Sequence, residues 1–119
     1  MSSSVIKKQT FSMLTLSDNI VAPKTTETTG SNTISLSAGT WLICGYMDWD
    51  ASLDGICNYK ITVAGTKSQT VRASGWNGGG VSNAFIVTIS SAKTVSQIVY
   101  QNAVDSVTAR ASLTAVKLF

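Results

Sequence analysis

The sequence predicts an all-β chain, a single antiparallel β-sandwich of about eight strands. Three observations carry that expectation. Short runs of alternating apolar and polar residues recur at even spacing between Gly, Asn, Asp and Ser, and no segment repeats its apolar residues at the helical period. The 119 residues contain one proline, no linker and no internal repeat, which fits one domain with a real core. With 44% hydrophobic and 13% charged residues, the surface is left to Ser, Thr, Asn, Gln and Gly, and disorder is excluded.

Residues 1–10 read as a flexible or docking N-terminal arm and residues 11–119 as the sandwich. Phe11 to Leu16 alternates as a strand. Ser17 to Asn32 is polar and Thr-rich and holds Pro23, so it is expected to hug a sheet edge, with Ile20-Val21-Ala22 pairing briefly. Thr33 to Ser37 is a short strand with Ile34 and Leu36 inward. A turn at Ala38-Gly39-Thr40 launches the run to Trp49 on which the domain is expected to centre. There Trp41, Ile43, Gly45, Met47 and Trp49 fall on one face, and Leu42, Cys44, Tyr46 and Asp48 on the other. A strand apolar on both faces lies mid-sheet and needs two covers. One is its own core; the other is expected to be a second subunit.

Asp50 to Gly55 is a loop closed by Asp-Gly turn chemistry. Ile56 to Ala64 alternates, with Cys57, Tyr59, Ile61 and Val63 facing the core, and Gly65-Thr66-Lys67 turns the chain into Ser68 to Ser74. Gly75 to Asn83 is a glycine-rich loop. Ala84 to Ser90 aligns Phe85, Val87 and Ile89, and Thr94 to Asn102 aligns Val95, Gln97, Val99 and Gln101. Ala109 to Phe119 closes the chain, with Ala109, Ala111, Leu113 and Ala115 opposite Ser112, Thr114, Val116 and Leu118.

Two stretches carry a resemblance. The run Thr33-Ile34-Ser35-Leu36-Ser37-Ala38-Gly39-Thr40-Trp41-Leu42-Ile43 and the terminal Ala111-Ser112-Leu113-Thr114-Ala115-Val116-Lys117-Leu118 resemble the head domain of phage tail fibres. Those heads are small trimeric jelly rolls, similar to the globular heads of complement and tumour-necrosis-factor proteins. The resemblance implies a homotrimer in which the central and C-terminal strands lie side by side and turn their outer face to a threefold axis. Leu42, Tyr46, Ala109, Ala111, Leu113 and Ala115 are the interface residues expected on that basis. With Met1 close to the first strand, no long fibre shaft is expected before the head.

Composition excludes several functions. The net charge of +3 comes from scattered Lys and Arg, with Lys7-Lys8 the only adjacent basic pair, so no nucleic-acid stripe is present. No secretory leader and no membrane-spanning run is visible. Cys44 and Cys57 could bridge if they met across the core; the expectation is two buried free thiols in a protein assembled in a reducing cytoplasm.

Histidine is absent, which removes the commonest general base and the triads that depend on it. Asp48, Asp50 and Asp54 are the only acids that could converge, as a glycosidase pair or a weak calcium site. They lack the distal Glu of a helix-loop-helix calcium loop and read by default as solvated turn acids. No catalysis and no cofactor are expected.

Recognition has one better candidate. In the glycine-rich loop Trp76 offers a flat face to a sugar ring, Asn77 and Asn83 offer donors and acceptors, and Gly78 and Gly79 give freedom. The alternative is a Trp76 folded back to seal the sandwich end. Trp49 with Asp50 is a second aromatic–polar pair. The resulting expectation is a non-enzymatic virion protein that attaches to a bacterial surface glycan or protein. The alternative is a trimeric structural knob or capsid or tail decoration protein that contacts other virion proteins. An extracellular lectin-like or signalling role is disfavoured, since no leader and no Asn-x-Ser/Thr site occurs.

Overall fold

A computed structural model describes residues 12–49, 56–73 and 80–119. Among them the chain forms nine strands: β1 (Met13–Pro23), β2 (Thr28–Thr29), β3 (Ile34–Leu36), β4 (Gly39–Trp49), β5 (Cys57–Val63), β6 (Lys67–Ala73), β7 (Gly80–Ile89), β8 (Lys93–Gln101) and β9 (Ser106–Lys117). They make two antiparallel sheets packed face to face. One is ordered β1-β9-β4-β7; the other is ordered β2-β8-β5-β6, with β3 also on the edge of β8. The predicted all-β sandwich is the observed architecture.

The central strand is where its pattern places it. β4 lies between β9 and β7, and Trp41, Ile43, Met47 and Trp49 are buried between the sheets. Gly45 shares that inner face because Tyr59 and Ile61 of the opposite sheet rise against it. A Cβ there would lie 2.5 Å from Ile61 Cδ1 and 2.6 Å from Tyr59 Oη.

Two strands are longer than the local pattern indicates. β1 pairs with β9 along its whole length, from Met13 opposite Val116 to Pro23 opposite Ser106. Its polar residues had argued for brief pairing only. An edge strand with one wet face needs apolar residues at alternate positions alone, and Leu16, Ile20 and Ala22 supply them. Pro23 ends this edge strand, as its missing donor requires. β7 begins at Gly80, inside the expected loop, because Val81 and Asn83 already face inward.

Two buried amides organise the second sheet. Gln97 accepts a hydrogen bond from the Tyr59 hydroxyl and donates to the Ala111 carbonyl at 3.3 Å, so it ties the sheets together. Gln101 donates to the carbonyls of Ala22 at 3.0 Å and Val104 at 2.7 Å and accepts from the amides of Ala103 and Val104. One side chain thus satisfies the turn from β8 to β9 and the end of β1, as buried polar groups require.

The open side of the sandwich, between β6 and β7, is closed by side chains. Lys67 Nζ donates to the Ile86 carbonyl at 3.2 Å and lies 5.3 Å from the centre of the Phe85 ring. Gln69 Nε2 donates to the Ala84 carbonyl at 3.2 Å, and Asn83 Nδ2 donates to the Gln69 carbonyl at 2.8 Å. Carbonyls on the free edge of β7 are thereby occupied, which blunts that edge against pairing with another chain.

The cysteines correct one expectation. Both thiols are free, but only Cys57 is buried; Cys44 is exposed on the outer face of the first sheet. They point to different sides of that sheet, so no bridge across the core can form between them.

Candidate functional site

Two surfaces stand out, one on the outer face of each sheet. On the first sheet the strand register lines up Met13, Val116, Leu42 and Ile86 as one apolar row across all four strands. Met13 is 63% and Ile86 55% exposed. The next rows carry Thr15, Thr114, Cys44 and Ala84, then Ser17, Ser112, Tyr46 and Ser82. Tyr46 lies over Gly80, where any Cβ would collide with its phenol. Among the described residues charge enters this face only at its far end, where Arg110 Nε donates to Asp48 Oδ1 at 2.7 Å.

The expected interface residues divide between the two sides of this sheet. Leu42 and Tyr46 are on the outer face. Ala109, Ala111, Leu113 and Ala115 face the opposite way and are buried in the core of a single chain. They are corrected from interface to core: all four belong to the buried cluster between the sheets, where Gln97 of the second sheet donates to the Ala111 carbonyl.

The expected ligand residues fare differently. Trp76, Asn77, Gly78, Gly79, Asp50 and Asp54 lie outside the described residues. Asn83, expected in the loop, is a buried residue of β7 whose Nδ2 is bound to Gln69. Trp49 is 1% exposed and packs in the core, so it offers no face to a ligand. Asp48, expected as a weak calcium ligand, is engaged by Arg110. Among the described residues no three His, Cys, Asp or Glu side chains converge.

On the outer face of the second sheet lies a cleft of about 230 Å³, lined by Glu27, Asn58, Lys60, Thr70, Ile98 and Tyr100. Three strands build it in register: Asn58 is opposite Tyr100, and Lys60 is opposite both Ile98 and Thr70. Glu27, just before β2, reaches Lys60 Nζ at 2.8 Å. The Asn58 Oδ1 atom is buried without a hydrogen-bond partner among the described residues. These residues come from separate segments with no shared linear motif. The polar Asn58, Lys60 and Thr62 had read simply as the wet face of a strand. The only local cue was Tyr100, an aromatic residue on the face opposite the core residues of β8.

No family profile and no curated protein matches the sequence. Solved structures do match by fold. The structure of infectious bursal disease virus, Gx strain, aligns with a TM-score of 0.70 at 11% identity, over 98% of this chain and 36% of that chain. The VP2 subviral particle of the same virus gives 0.69 at 12% identity, over 98% and 37%. The chain therefore spans little more than a third of those viral chains. The globular domain of zebrafish complement 1qA gives 0.52 at 11% identity, over 87% of this chain and 97% of that one. The nine-stranded sandwich is a jelly roll of the kind seen in these viral and complement proteins.

Proposed function

We propose that this chain is a non-catalytic structural protein of a virion, a jelly-roll knob or decoration subunit that forms a homotrimer through the outer face of its first sheet. The observation that carries the reading is the apolar row Met13–Val116–Leu42–Ile86, which crosses the full width of that sheet with Met13 and Ile86 exposed and Val116 and Leu42 half-buried. Contiguous apolar surface of this kind marks an interaction site on a soluble protein, and a closed ring of copies covers the same patch on each. Two of the similar structures are of a virus and of its subviral particle, which supports a place in a virion; assembly in the host cytoplasm is part of the same proposal. The resemblance to phage tail-fibre heads supports a bacteriophage as its source, with other virion proteins as further partners.

Attachment to a bacterial surface glycan or protein is the second reading, and the cleft beside Tyr100 is the observation in its favour.

Sedimentation and light scattering test the assembly. The expected species has three times the 12.5 kDa chain mass, and Leu42→Asp combined with Ile86→Asp yields a folded monomer. A wild-type chain that stays monomeric at high concentration would overturn the proposal. Recovery of the chain in purified particles is the expected result for a virion component.

A further inference from the structure

We infer that the cleft on the outer face of the second sheet binds one neutral pyranose unit of a glycan. The inference deepens the attachment reading and does not depend on the trimer. Four features of the cleft converge on this ligand.

The first is the stranded acceptor. Asn58 Oδ1 is buried and has no hydrogen-bond partner among the described residues, an arrangement that costs free energy until a donor arrives. Asn58 as a whole is half-buried, and a turn of its amide toward the cleft brings that oxygen to a ligand hydroxyl as donor.

The second is the charge balance. Lys60 and Glu27 are paired at 2.8 Å, so the described side chains offer no net charge to a phosphate or carboxylate ligand. The pair nevertheless keeps unused hydrogen-bonding capacity, since an ammonium has three donors and a carboxylate about four lone-pair sites. Thr70 adds a hydroxyl to the same wall. Adjacent donors and acceptors match vicinal sugar hydroxyls, each of which both gives and receives.

The third is the apolar surface. Ile98 and Tyr100, both half-buried, stand two residues apart on the same face of β8. They offer an apolar body beside the polar groups, as the C–H face of a sugar ring needs, and the tyrosine adds a polar tip.

The fourth is size and place. A volume of about 230 Å³ falls below the range of about 300–1,000 Å³ typical of pockets for drug-sized ligands, which fits a single ring with the rest of the glycan in solvent. The cleft is on the sheet opposite the apolar face, so it stays open when that face is covered.

The test uses the full chain with the methyl glycosides of glucose, galactose, mannose and N-acetylglucosamine, titrated at millimolar concentration and followed by amide chemical shifts. At least one glycoside is expected to shift residues around Asn58 and Tyr100 while leaving the first sheet unmoved. Asn58→Leu and Tyr100→Ala, each with unchanged melting temperature, are expected to weaken binding roughly tenfold or more. Shift mapping on the wild-type chain decides the matter even if a variant fails to fold. No response to any of the four, shifts confined elsewhere, or full affinity in folded Asn58→Leu would each overturn the inference. Sedimentation of the same samples reads the trimer separately, so failure of one proposal is distinguishable from failure of the other.

Discussion

At Gly45 the core of this protein is thinner than a methyl group allows. The Tyr59 ring crosses from the second sheet to fill the space, and its hydroxyl is used by Gln97. Burial pushes the Tyr59 phenol well above its ordinary range, since the charged form would lose its water. Cys57, two residues earlier on the same buried face, is pushed up from 9.0 to about 11 for the same reason. Below about pH 9 that thiol is protonated in the folded and unfolded chain alike, and its contribution to stability is fully present. Between about pH 9 and 11 the unfolded chain releases the proton and the native one holds it. Stability therefore falls as pH rises, by roughly 1 kcal/mol per pH unit. Urea midpoints are expected to be level from pH 7 to about 8.5 and to decline above it. Cys57→Ala should flatten the decline up to about pH 10, beyond which Tyr59 adds its own loss.

Among the elements, β8 does the most joining. It pairs with β5 along one side and with β2 and β3 in succession along the other. Its inner face alternates Val95, Gln97, Val99 and Gln101, all buried. A buried Gln is tolerated only when its amide is fully used, and Gln101 makes four hydrogen bonds to the backbone at the end of β1 and the turn into β9. Gln101→Leu keeps the bulk and leaves those groups without their partner. It is expected to lower stability by about 2 kcal/mol or more, read from urea unfolding, and to speed amide exchange at Ala103 and Val104. A wild-type midpoint in that variant would mean that water replaces the amide at no cost.

At the scale of the whole molecule, the two outer faces have opposite chemistry. One is a broad apolar and hydroxyl-bearing surface; the other holds a polar cleft with an unused acceptor. Cys44 sits within the first and reports on it. Maleimide labelling of Cys44 is expected to be fast in dilute protein and to slow as the concentration approaches that of the trimer, while Cys57 stays unlabelled until the chain unfolds. Mass spectrometry of the labelled peptides measures both. Equal labelling of Cys44 across concentrations, in samples that sediment as trimers, would place the interface elsewhere.

Much of this fold is legible in the chain itself. Side chains on a strand alternate between faces, so the runs Trp41–Trp49, Cys57–Val63 and Ala109–Ala115 show which residues are buried before any strand is paired. That period determined the all-β class, the central strand and nearly every core position. It could not say what each buried face meets, and so the alanines of β9 looked suited to an axis between subunits when they serve the core of one chain. Strand pairing joins residues far apart in sequence, and only the tertiary structure brings Glu27, Asn58, Lys60, Thr70 and Tyr100 to one cleft. The physical reason is locality: alternation is written between neighbours along the chain, whereas a binding surface is assembled across hydrogen-bonded strands whose order no single strand encodes.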